Sequence, residues 1–80
     1  MKFLVVVEKS KTGFAAYSPD VLGCIATGRT RRTTERAMRE AMAMHVDAML
    51  EAGQPSPVPR TYAAWVEIPP RRAGRRHRAS

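Results

Sequence analysis

The feature that most constrains this chain is the segment of residues 31–52, which contains neither glycine nor proline. Its apolar residues recur with the 3.6-residue period of an α-helix, which predicts an amphipathic helix about 33 Å long at 1.5 Å per residue. Thr30 suits the N-cap position, and Gly53, followed by Pro55, suits the C-terminal end. Thr33 stands where a capping box would have Glu or Gln, so we predict that the box is missing.

The apolar surface of this helix is wide. Its central stripe comprises residues three and four positions apart: Thr34, Met38, Ala41, Met42, His45, Met49 and Ala52. Met44 and Ala48 extend one flank of the stripe, and Val46 and Leu50 extend the other. Because this arc is wider than one sheet contact needs, we predict that these four flanking residues form an oligomer or partner interface.

Four segments on either side of the helix carry β-compatible residues: 2–8, 13–18, 24–27 and 62–68. The first three should form a meander, because polar or Gly/Pro-containing turns separate them. The helix should then cross one face of the sheet, and the fourth strand should lie parallel to the first and next to it. The predicted class is α+β, with the order β-β-β-α-β, a four-stranded sheet and one long helix packed on a face.

The positive charge of the chain is concentrated at its C-terminal end. Residues 1–68 hold nine Lys/Arg and seven Asp/Glu, or 9 − 7 = +2, whereas residues 69–80 hold five Arg and no acid, or +5, of a total of +7. We therefore predict a domain at 1–68 and a basic, disordered tail at 69–80.

The arginines of this tail could contact RNA or DNA phosphates. They are Arg71, Arg72, Arg75, Arg76 and Arg78. The tail has no aromatic residue to stack on bases, and the alternative is a solvated terminal extension.

The sequence offers no catalytic constellation. Its seven acids are scattered along the helix and at strand ends, and the one cysteine, Cys24, has no histidine near it in sequence. His45 lies within the apolar stripe, where a core or interface role is favoured, and His77 lies in the tail. We therefore predict a non-enzymatic protein without catalytic residues, cofactor or metal. The lack of a membrane-length apolar run predicts a soluble, cytoplasmic protein without membrane contacts.

Several short motifs occur together in a fixed order. They are Tyr17-Ser-Pro-Asp-Val-Leu-Gly-Cys24, Gly28-Arg-Thr30, Arg39-Glu-Ala41 in the helix, and Glu51-Ala-Gly-Gln-Pro-Ser-Pro-Val-Pro59. This series, which covers residues 1 to about 68, resembles the HicB-like antitoxin family. Two differences are that Val21-Leu22 replaces the usual Leu-Pro, and that Arg32-Thr33-Thr34 replaces the usual Glu-Glu-Ala.

The resemblance implies a partial ribonuclease-H-like fold that lacks the acidic catalytic set of ribonuclease H. It also implies an antitoxin that sequesters a HicA-like, mRNA-cleaving toxin and that forms a homo-oligomer, either a dimer or a tetramer. Many family members carry a C-terminal DNA-binding domain, for which the twelve residues after position 68 are too few. The alternative function is a stand-alone HicB-like domain that binds RNA or DNA through its Arg-rich tail.

Overall fold

The computed structural model describes residues 1–71, and these fold into three antiparallel strands followed by one long helix. The strands are β1 (Val6–Lys9), β2 (Phe14–Ser18) and β3 (Val21–Gly28), and the helix is α1 (Arg31–Glu51). The sheet order is β1-β2-β3, so the predicted α+β class and the meander are confirmed. The structure thus places β1 at an edge of the described sheet, whereas the sequence predicted a central position for it.

A small core lies between α1 and the sheet. It consists of Ala16, Val21, Cys24, Met38 and Met42, each at most 8% exposed. The helix packs mainly over β3 and β2 and touches β1 least. The helix face predicted from the 3.6-residue period therefore supplies the inward-facing side chains.

A bulge in β3 lets two side chains three residues apart point into this core. Tyr17 pairs with Ile25 and Ser18 with Val21, so the register shifts by several residues between these neighbours on β2. Gly23 lies inside the shift with a φ of +83°, a conformation that is unfavourable for other residues. As a result, both Val21 and Cys24 are buried.

The start of α1 is tightly packed and fully capped. A Cβ placed on Gly28 would lie 2.6 Å from Thr34 Oγ1 and 2.9 Å from its backbone nitrogen, so only glycine allows this approach. Thr33 N donates to Thr30 Oγ1 at 3.1 Å, and Thr30 N donates to Thr33 Oγ1 at 3.2 Å. The prediction of a missing capping box was therefore wrong, because the hydroxyl of Thr33 makes the return bond usually made by Glu or Gln.

The C-terminal end of α1 forms the hydrogen bonds of a Schellman motif. Gly53 N donates to Leu50 O at 3.0 Å, and Gln54 N donates to Met49 O at 2.9 Å. The φ of Gly53 is +77°, as a residue in this position requires. The predicted helix limits are confirmed to within one residue.

The predicted fourth strand is not formed in this protomer. Residues 54–71 have no regular secondary structure, and residues 62–68 are exposed along their whole length. The chain reaches position 61 beside the β2–β3 turn, where the Asp20 carboxylate accepts hydrogen bonds from Arg60 N and Thr61 N, rather than beside the free edge of β1. The described residues therefore contain a three-stranded sheet in place of the predicted four-stranded, ribonuclease-H-like one.

Candidate protein-binding surfaces

An apolar row crosses the sheet face opposite the helix. Val6 pairs with Tyr17, and Tyr17 pairs with Ile25, so the three side chains lie side by side on adjacent strands. Tyr17 is 43% exposed and Ile25 is 69% exposed. Because the side chains of this outer row are exposed, the second face of the sheet is accessible to a partner.

Large apolar side chains are also exposed along the outer edge of β3. Leu22 is 80% exposed, and Met44 of α1 is 72% exposed. Ile25 and Met44 line a shallow depression of about 410 Å³, together with Ala41 and His45 of the helix. We call Leu22, Ile25 and Met44 the β3-edge surface.

The four predicted interface residues divide between two sides of α1. Met44 and Ala48 are exposed on the side that faces the β3 edge. Val46 is half-buried and Leu50 is exposed on the other flank of the stripe. Within the described chain, three of the four thus face solvent, and their role as an interface stays a prediction.

A groove of about 500 Å³ runs along the free edge of β1. One wall is the segment that leads into β1 and the other is α1; their main side chains are Phe3, Val5, Val7, Glu35, Arg39 and Met42. Phe3, Val5 and Val7 also pack partly against the core. The groove exists because the helix lies over β2 and β3 and leaves this side of β1 uncovered.

Residues 62–68 extend from the body as an arm. Tyr62 is 84% exposed, Trp65 99%, Val66 75% and Ile68 77%. Among the tail arginines, Arg71 is exposed, whereas Arg72, Arg75, Arg76 and Arg78, like His77, lie outside the described residues.

Asp20 holds the root of the arm. Its carboxylate accepts hydrogen bonds from Arg60 N at 2.7 Å and from Thr61 N at 2.8 Å, and Thr61 Oγ1 donates to it at 2.9 Å. The bond from the Arg60 amide, followed by the bonds from Thr61, lowers the pKa of Asp20 below its ordinary value. We call this arrangement the Asp20 latch.

The described residues do not assemble a chemical centre. Between residues 1 and 71, no three His, Cys, Asp or Glu side chains come close enough to share a metal ion. Burial raises the pKa of the Cys24 thiol, which favours the unreactive protonated form. Over the same residues, no helix has the length and apolar character that a membrane span requires.

Sequence reasoning identified the helix flank but missed three of these features. The outer row depends on strand register, which apolar alternation alone does not determine. The groove depends on where the helix sits over the sheet. The Asp20 latch joins residues 40 positions apart, and the Pro19-Asp20 pair signalled only a turn.

The chain is similar to proteins of one functional class. The model of a family described as "HicB_like antitoxin of bacterial toxin-antitoxin system" matches residues 3–73. One chain of a solved structure described as "HicA3 and HicB3 toxin-antitoxin complex" is 31% identical, with a TM-score of 0.60, and the match covers 72% of each chain.

A curated relative comes from Haemophilus phage HP1 (strain HP1c1), where it is described as an uncharacterized 14.9 kDa protein in the rep-hol intergenic region. It is 28% identical over 69 residues, which cover 86% of this chain and 52% of the phage protein. The chain therefore spans about half the length of this relative.

Proposed function

Because the chain belongs to the family of HicB-like antitoxins of bacterial toxin–antitoxin systems, we propose that it binds a HicA-like toxin and blocks cleavage of mRNA by that toxin. The family match carries this proposal, and the likeness to a chain of a HicA3–HicB3 complex supports it. The role requires no catalytic group, since an antitoxin acts by occupying a surface of its partner. It would act in the cytoplasm, where mRNA is available to the toxin.

We assign toxin binding to the β3-edge surface. Interface cores are enriched in large apolar and methionine side chains, and Leu22, Ile25 and Met44 are three such side chains exposed on β3 and on the neighbouring flank of α1. The neighbouring outer row shares Ile25 with this patch, so the contact area can extend across the sheet. Met44 and Ala48, which the sequence predicted as interface residues, lie on this side of the helix.

Co-expression with a HicA-like toxin tests the proposal. The wild-type chain should restore growth and co-purify with the toxin. The double variant Ile25→Asp/Met44→Asp should weaken the complex about 100-fold or more, because each carboxylate would be buried without a partner. Both positions are exposed, so the variant should remain folded.

Ala48→Asp and Ala43→Asp form a matched pair on the same helix. Both alanines are exposed, but Ala43 lies on the solvent face and Ala48 on the flank towards β3. We expect Ala48→Asp to weaken toxin binding and Ala43→Asp to leave it unchanged. Equal effects of the two substitutions would refute the assignment to the β3 edge, and a wild-type chain that neither binds nor rescues would refute the antitoxin role.

A second candidate function rests on the charge of the C-terminal residues. We keep 1–68 as the antitoxin domain and propose that the five arginines of 69–80 bind RNA or DNA phosphates. In the full chain, replacing the five arginines of 69–80 with glutamine should abolish the salt-dependent binding of a nucleic-acid duplex, as measured by fluorescence titration. Binding that is equal in both proteins and insensitive to salt would rule this out.

A further inference from the structure

The arm has the composition of a strand, but none of the strands in residues 1–71 pairs with it. Tyr62, Ala64, Val66 and Ile68 alternate with Ala63 and Trp65, so both faces are apolar. Exposing an aromatic, β-compatible segment in this way is unfavourable unless another chain covers it.

The root of the arm is held at the β2–β3 turn and not at the edge of its own β1. The connector first passes the start of the chain, where Ser56 Oγ lies 3.9 Å from Met1 Sδ. It then continues to the β2–β3 turn, where the Asp20 latch fixes Arg60 and Thr61. To pair with its own β1, the arm would have to turn back across the end of the sheet.

The free edge of β1 is an unpaired strand edge with which an arm could form backbone hydrogen bonds. Strand β1 and the residues that lead into it, 3–9, match the seven residues of 62–68 in length, about 23 Å at 3.3 Å per residue. The groove beside this edge is lined by Phe3, Val5 and Val7, so it can accept one apolar face of an added strand.

We infer that residues 62–68 of one protomer pair as a strand with β1 of a second copy and fill the groove between β1 and α1 of that copy. Each protomer has one arm and one free β1 edge, so the exchange is reciprocal and closes as a two-fold dimer. The sheet of each subunit then has four strands, the fourth supplied by its partner.

A second copy fits better than an unrelated partner because the two surfaces are complementary within one sequence. The arm carries one charge, Glu67, and the rim of the groove carries Lys2 and Arg39 against the single acid Glu35. Backbone groups of the arm would hydrogen-bond to the unpaired N–H and C=O groups at the edge of β1, and side chains of the arm would cover the apolar groove.

Trp65, the only tryptophan of the sequence, reports on this contact directly. In the full chain without toxin, light scattering should give the mass of a dimer at high concentration. The emission of Trp65 should move to shorter wavelength over the same concentration range, because its fully exposed indole becomes covered. Hydrogen exchange should show protection both of residues 62–68 and of the β1 amides that point away from β2.

Val66→Pro removes a backbone donor from the middle of the arm. It should raise the dimer dissociation constant about 100-fold, or about 10-fold at each of two symmetric contacts. Val58→Pro is the matched control, because Val58 lies between Pro57 and Pro59 in an already extended, exposed connector. This variant should dimerise like the wild type.

Four outcomes would overturn the inference. A monomer with protected arm amides would indicate that the arm pairs with its own β1, and a monomer with unprotected arm amides would indicate a free arm available to another protein. A dimer that survives Val66→Pro would indicate an interface elsewhere. A dimer in which the arm is protected but β1 is not would indicate that the two arms pair with each other. Because no toxin is present, failure here would leave the antitoxin proposal standing.

Discussion

At the residue scale, Gly23, Gly28 and Asp20 set features that the apolar pattern does not determine. Gly23 forms the bulge in β3 that buries both Val21 and Cys24. Gly28 lets the first helical turn approach the sheet, and Asp20 fixes where the arm leaves the body. The structure thus gives a physical reason for the motifs Gly23-Cys24, Gly28-Arg-Thr30 and Pro19-Asp20 of the sequence.

Gly23→Ala should lower the free energy of unfolding by about 1–2 kcal/mol, because alanine is strained at a positive φ. Among the described residues, no atom beyond the two chain neighbours of Gly23 lies within 4 Å of the added Cβ, so the loss comes from the backbone alone. Urea unfolding followed by circular dichroism measures it at a fixed protein concentration. Leu22→Ala, at the exposed neighbouring position, is the control and should change the free energy of unfolding by less than about 0.5 kcal/mol. If Gly23→Ala were as stable as the wild type, position 23 would not require the positive φ described here.

The Asp20 latch should open in acid. Its pKa is depressed in the folded protein, so its contribution to stability is complete above the pKa of the unfolded chain and is lost as the pH falls through the folded value. The NMR shifts of the Arg60 and Thr61 amides should therefore titrate with a midpoint below the ordinary value for aspartate. In Asp20→Asn the titration should vanish, and a midpoint at or above the ordinary value in the wild type would disprove the latch.

At the scale of elements, the helix was predictable and the arm was not. The period of the apolar residues, the N-cap Thr30 and the terminal Gly53 are local signals, and they placed α1 to within one residue. β2 and the meander followed from similarly local patterns. The pairing of 62–68 depends on where the preceding connector is held, which is set by contacts far apart in sequence.

The cap of α1 makes a testable contribution of its own. Thr30→Ala should lower the free energy of unfolding by about 1 kcal/mol, since the Thr33 amide loses its acceptor. Thr30→Ser keeps the hydroxyl and should stay close to the wild type. Thermal unfolding of both variants checks this, and equal stability of Thr30→Ala and Thr30→Ser would contradict the observed cap.

At the scale of the whole molecule, the two free sheet edges have different surroundings. The β1 edge borders a groove that matches the arm of a second copy, and the β3 edge carries exposed Leu22, Ile25 and Met44. The proposed toxin contact at β3 and the proposed contact between two antitoxin chains at β1 therefore use different edges of the sheet. The sequence predicted wide apolar surface on the helix, but strand register and helix placement were needed to locate these two edges.

Inhibition of RNA cleavage tests the central claim most directly. A purified HicA-like toxin would be given an mRNA substrate, and the antitoxin would be added in increasing amounts. We predict that cleavage falls in proportion to added antitoxin and stops near one antitoxin chain per toxin, while Ile25→Asp/Met44→Asp requires a large excess. Cleavage that continues unchanged at a many-fold excess of the wild-type chain would contradict the antitoxin function.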